Sequence, residues 1–321
     1  MNKLFWQMSA ALTAFWVALT PLCAQAAEVD PLVPKDAVMV MTVNIDRLIQ
    51  AEAVKKHALG RIKDAIKTNT EATQILSQLS LDWEKDLKTL TVALSGELKN
   101  VGGGNPLESM SLAVIVRGKF APEKFDELAK EHPDRVTTHK SGNHTIYETK
   151  DGEQPMFAAF VGKEAAVLSN KRNLVEDCLA GKKQAGVNKD LQSAVRKVSG
   201  EPTAWFAMAV PDQLRDLMKA SPQAAELAEK LEAFTLTATV KSNIVVELGM
   251  HMKDRASADK AKLILDQVKA FLTLAALQNE KAGPILNNII NAAKVETQNN
   301  VAALRAEITA QQLEELIKLA Q

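Results

Sequence analysis

One arrangement occurs twice in this chain: a near-continuous apolar run, then an acid, then a helical pattern of leucines. The first copy is Asp36–Ile49, DAVMVMTVNIDRLI, and the second is Thr203–Met218, TAWFAMAVPDQLRDLM. A run apolar on both of its alternating faces predicts a central strand, since each face needs a cover. Asp46 and Asp212 fall where a carboxylate can accept the free backbone N–H groups of the helix that follows. The two copies therefore predict the opening strand and helix of two related modules.

The rest of the pattern extends the parallel. In the first module Leu90, Val92 and Leu94 alternate with Thr89, Thr91, Ala93 and Ser95, followed by a second alternating run over Met110–Arg117. Pro122 opens a helix, and hairpins are expected about Ser141-Gly142 and Gly162-Lys163. A helix through Leu174, Val175, Cys178 and Leu179, capped by Asn170, ends it. In the second module Phe234, Leu236, Ala238 and Val240 alternate with Thr235, Thr237 and Thr239. A long helix over Ala258–Leu277, a hairpin around Asn299-Asn300 and a helix capped by Thr309–Gln312 complete it. The expected fold class is α+β: two tandem split-βαβ-like modules, antiparallel sheets with helices on one face. The expected domains are 1–26 as a signal peptide, 27–181 as the first module, 182–202 as a linker with a short helix, and 203–321 as the second module.

Residues 1–26 carry Lys3, a short apolar core over Ala10–Leu22, and Ala24-Gln25-Ala26, which predict a secretory signal cleaved after Ala26. Cys23 follows Leu22, a larger residue than a lipidation site wants, so a lipid anchor is the lesser reading. No later stretch has the ~18 apolar residues of a membrane span. A periplasmic or secreted protein with no transmembrane anchor is expected.

The chain has 39 basic and 39 acidic residues, and loss of Lys3 leaves the remainder one charge negative. Neutrality without a basic block argues against nucleic acid as a partner. Beyond residue 26 Cys178 is the only cysteine, so no internal disulfide can form. Trp83, Trp205 and Tyr147 are the only Trp and Tyr there, too few for a sugar-stacking platform.

Leu32-Val33-Pro34-Lys35-Asp36-Ala37, followed by a valine-rich strand ending in Asn44-Ile45-Asp46, resembles the opening of uncharacterised exported bacterial proteins. That resemblance implies export and an α+β repeat, and brings no catalytic residues with it.

Few constellations suggest chemistry. His139 and His144 lie opposite one another if Ser141-Gly142 is a two-residue loop, and are candidates for a shared metal, yet spacing fixes no third ligand. Gly102–Gly104 joins two strands, so it reads as a hairpin loop instead of a phosphate cradle. Ser257-Ala258-Asp259-Lys260 matches S-x-x-K, but the partner motifs overlap and precede it, so Ser257 reads as a helix cap. Cys178 sits on an apolar helical face and reads as core. No catalytic residue and no cofactor is expected. The Thr-rich sheet faces, represented by Thr89, Thr91, Thr235 and Thr237, are the candidate ligand surfaces. The broad apolarity of Phe271–Leu277 reads as a helix buried between modules, or as a partner surface or lipid groove. The expected function is a non-enzymatic binding or interaction protein, with an unknown protein or a small apolar ligand as partner. The alternatives are an apolar-ligand carrier using Phe271, and a metal-dependent hydrolase at His139 and His144.

Overall fold

The computed structural model describes residues 27–96, 110–150, 155–180, 188–220 and 222–319. The expected signal peptide, Cys23 and the Gly102–Gly104 loop lie outside them. The fold is mixed α+β. It divides into two compact units, Val29–Ile49 with Leu59–Asn188, and Gln50–Ala58 with Lys189–Gln321.

In chain order the first part reads β1 (Ala37–Asn44), α1 (Ile45–Gln50), α2 (Glu52–His57), α3 (Leu59–Thr68), α4 (Thr70–Gln78), α5 (Trp83–Asp86), β2 (Leu87–Ser95) and β3 (Ser111–Gly118). Then come α6 (Pro122–Glu131), β4 (Val136–Ser141), β5 (His144–Thr149), β6 (Met156–Val161), β7 (Ala165–Ser169) and α7 (Arg172–Leu179). Within the first unit the strand order is β1-β2-β3-β7-β6-β5-β4, and every pairing is antiparallel. A βαβ crossover would join parallel strands. Here the helices between β1 and β2 return the chain to an antiparallel neighbour.

The single helix expected after β1 is three, α1, α2 and α3. Helix α2 belongs to the second unit, where the Ala53 N–H donates to the Lys241 carbonyl at 2.9 Å. Asn44, one residue before α1, supplies the cap expected of Asp46: its Oδ1 accepts from the Arg47 N–H at 2.8 Å. Helix α4 ends in a Schellman turn. The Leu81 N–H reaches the Leu76 carbonyl at 2.9 Å and the Ser80 N–H reaches that of Ser77 at 3.0 Å. Ser80 holds the left-handed position with φ 49°, where glycine is usual.

Helices cover both faces of this sheet, not one. Helix α7 buries Leu174, Val175 and Cys178 and packs against β3, β6 and β7. Ile115, Ile146, Ala159 and Val167 have no exposed surface. On the opposite face α6 contributes Ala129 and Phe125 to a cluster with Tyr147, Phe160 and Ala166. The cause lies in β3 and β7, where both alternating sets of side chains are apolar.

The second unit runs α8 (Lys189–Arg196), β8 (Ala204–Ala209), α9 (Asp212–Lys219), α10 (Pro222–Ala228), β9 (Leu231–Val240), β10 (Ile244–Met252), α11 (Arg255–Leu277), α12 (Gly283–Ala292), β11 (Lys294–Gln298), β12 (Val301–Ile308) and α13 (Ala310–Leu319). Its strands lie in the order β8-β9-β10-β12-β11, matching β1-β2-β3-β7-β6 of the first unit. One helix, α8, buries Leu191, Ala194 and Val195 and packs on β8 and β9. Helix α11 sets Ala258, Ala261 and Leu265 into a core with Leu231, Met250 and Met252. Its cap is Asp254, whose Oδ1 accepts from the Ser257 N–H at 2.8 Å, so Ser257 is the capped residue and not the cap. Thr309 and Gln312 do form a reciprocal box at the start of α13, with N–H to side-chain oxygen distances of 2.9 and 3.3 Å.

Among the described residues no helix is long and apolar enough to cross a membrane.

Gly118 gives the sharpest test of the packing between β2 and β3. A Cβ there would lie 2.3 Å from the Asp86 carbonyl oxygen, which already accepts from the Lys119 N–H at 2.8 Å. Gly118→Ala is expected to cost about 1–3 kcal/mol through this overlap. Gly60→Ala, which meets open space in α3, is expected to stabilise by about 0.5–1 kcal/mol. Urea denaturation of the two variants checks both signs.

Candidate functional site

The site is built from a contrast of side-chain size on one sheet face. Across the β6–β7 ladder Phe160 pairs with Ala166 and Ala158 pairs with Leu168. Each large residue therefore stands beside an alanine, and the alanines leave a low floor. Phe120 and Phe125 stand over it. Their ring centroids lie 5.6 and 4.5 Å from that of Phe160, and Phe125 is 5.8 Å from Tyr147. Tilted rings at these spacings hold one another in place. Leu79 and Leu81, at the end of α4, close a further side. Between them lies a partly open cavity of about 230 Å³, and its lining residues among the described ones are Leu, Val, Phe or Ala.

Polar groups are kept at the margin. The Tyr147 hydroxyl donates to Asp126 Oδ1 at 2.8 Å. Burial, then the Asp126 carboxylate, hold its phenol proton above the usual range. Lys124 Nζ donates to Ser80 Oγ, and Lys163 pairs with Glu123 at 3.1 Å. Among the described residues the lining side chains form an all-hydrocarbon wall. It can shelter apolar matter from water.

The expected ligand surfaces lie elsewhere. Thr91 is buried, 3 % exposed, with its hydroxyl 3.0 Å from that of Thr42. Thr235 is 5 % exposed, 2.8 Å from His251 Nε2. Thr89 and Thr237 are half-buried neighbours in the same strands. The Thr91 and Thr235 hydroxyls are bonded inside the fold, because this face of β2 and β9 is a covered one. Phe271 is 69 % exposed, with Leu263, Leu274 and Leu277 bare beside it. The buried reading of Phe271–Leu277 therefore fails. Only Ala276 is buried in that half of α11, whose core contacts are made by its first three turns.

The two candidate metal ligands are not opposite one another. The β4–β5 turn is Gly142-Asn143, with Gly142 at φ 57°, and the register sets His139 against Ile146 and His144 against Ser141. His139 Nε2 is 2.6 Å from Glu148 Oε2, and His144 Nδ1 is 3.2 Å from the Phe160 carbonyl. Among the described residues no group of three His, Cys, Asp or Glu is placed to hold a metal. Asn170 does not cap α7. Its Oδ1 accepts from the Leu112 N–H at 3.2 Å and ties β3 to the end of β7. Cys178 is buried, and burial pushes its thiol up to about 12.

The cavity residues were passed over in the sequence because each reads as ordinary core. The available signal was the Phe157-Ala-Ala-Phe160 strand followed by Ala165-Ala166, an unusual density of small residues beside rings.

No family model and no curated protein matches the chain. Among solved structures, crystal form III of TP0453 is 9% identical, with a TM-score of 0.47 over 91% of this chain and 99% of that one. Crystal form IV is 10% identical, with a TM-score of 0.46 over 92% and 97%. At these scores the likeness carries no argument about fold or function.

His251 supplies a pH test of the second unit. Burial first, then the Lys197 charge, lower its pKa from 6.5 to about 4. The neutral ring is the folded form, so its contribution is complete above the unfolded value and is lost as pH falls through 6.5 toward 4. About 3 kcal/mol is at stake, from the size of that shift. Thermal melts from pH 7 to pH 4 are expected to show this loss, and His251→Gln is expected to flatten it.

Proposed function

We propose that the chain is an exported, non-enzymatic binding protein whose ligand is a small apolar molecule or chain, taken into the cavity of the first unit. The observation that carries this reading is a lining made only of Leu, Val, Phe and Ala around about 230 Å³. A cavity of ~150 Å³ with such walls stays dry and takes up a six-carbon ring. Scaling from it, this one suits roughly eight or nine carbons. The size is below the ~300 Å³ where sites for drug-sized ligands begin, which points to one chain or one ring. Burying six or so methylenes is worth about 5 kcal/mol before ordering costs. A dissociation constant on the order of 0.1–1 mM is the natural scale for so small a ligand. The reading keeps the non-enzymatic character expected from the sequence and moves the site from Phe271 to the α6–β6–β7 pocket.

Ala166 tests it. A leucine at 166 occupies the floor, so Ala166→Leu is expected to weaken 1-octanol binding at least tenfold while leaving the fold intact by circular dichroism. Ligand-observed NMR with 1-octanol on the full chain checks this. Absence of octanol binding to the unaltered protein, or unchanged binding by the variant, overturns the reading.

A further inference from the structure

We propose that the ligand of this cavity is a single aliphatic chain with a carboxylate head, and that the Lys124 ammonium and the Ser80 hydroxyl hold that head at the rim. The inference rests on the binding reading above and adds to it the class of ligand.

The wall offers no polar group, so a polar end of any ligand lies at the margin. Ser80 stands between Leu79 and Leu81, and Lys124 stands next to Phe125. All three apolar neighbours line the cavity. The bond from Lys124 Nζ to Ser80 Oγ therefore spans from one wall segment to another across the margin. Three other lysines of this region are matched by carboxylates. Lys163 pairs with Glu123 at 3.1 Å, Lys85 with Asp82 at 2.5 Å and Lys63 with Glu84 at 2.9 Å. Lys124 has only the neutral Ser80 hydroxyl as its side-chain partner among the described residues. Replacing that partner by a carboxylate oxygen sets an opposite charge against the ammonium, where the Ser80 hydroxyl offers only a dipole.

The backbone adds to this. Ala121, the residue before the first turn of α6, lines the cavity and provides no side-chain cap. A ten-residue helix thus starts beside the same margin. Glu123 shares that turn. Its carboxyl is held below the usual range by its own backbone N–H, then by Lys163, with the Lys124 charge as the smallest contribution, so it is matched chiefly by groups other than Lys124. One ammonium and one hydroxyl can each donate to one of a carboxylate's two oxygens.

The test compares octanoate with 1-octanol at pH 8, using the full chain and Lys124→Met, which keeps the length of the stem. Lys124→Met is expected to weaken octanoate binding at least fivefold and to leave octanol binding within twofold, with an unchanged melting temperature. Lys119→Met, beside Phe120, is expected to leave both within twofold. If octanol binds the unaltered chain but Lys124→Met leaves octanoate unaffected, or weakens both ligands equally, the head assignment is overturned and the cavity reading stands. If neither ligand binds the unaltered chain, both fall.

Discussion

Burial of both sheet faces is the constraint on which this structure depends. A strand whose two alternating sets are both apolar cannot leave either set to water. In β3, Ala113 and Ile115 point one way and Leu112, Val114 and Val116 the other, and neither set is fully exposed. The fold answers with α7 on one side and α6 on the other, and the second unit answers likewise with α8 and α11. The cavity follows from that answer. Helix α6 carries its Phe125 over a floor where Ala158 and Ala166 stand in place of larger residues, so a helix placed to cover the sheet does not fill the space beneath it.

The same constraint explains what the polar residues are doing. Thr42 with Thr91, and Thr235 with His251, are pairs sealed within covered faces, each supplying the other's hydrogen bond where water does not reach. Ser95 shows the cost of this arrangement, with a buried hydroxyl oxygen that has no partner among the described residues. Thr91 and Thr235 are therefore small core residues with polar tips.

How much of this was legible in the sequence can be judged residue by residue. The strands themselves were, because their two-residue alternation survives into the structure, and so was the reciprocal cap of Thr309 and Gln312. What alternation cannot supply is the identity of the covered face. Thr91 and Leu90 alternate equally well whichever side is dry, and the choice rests with helices distant in sequence. The histidines failed for a finer reason. Moving the β4–β5 turn by one residue, from Ser141-Gly142 to Gly142-Asn143, changes which residues face each other across the ladder. Caps failed in the same local way: Asn44 and Asp254 each lie a few residues from Asp46 and Ser257, and several residues in either stretch have cap chemistry. The site was hidden because Leu79, Phe125 and Ala166 meet only in three dimensions, and a hollow is a property of what is absent between side chains.

The interior position of Cys178 has a consequence for how the chain ages. With its thiol pushed up to about 12 by burial, the reactive thiolate is scarce at neutral pH, and the sulfur is walled in by α7 and the sheet. Oxidants and mixed-disulfide partners are thus denied to the native state and offered only to a polypeptide that has opened. Covalent dimers joined through Cys178 would then serve as a tally of lost structure, a permanent trace left by an otherwise transient event.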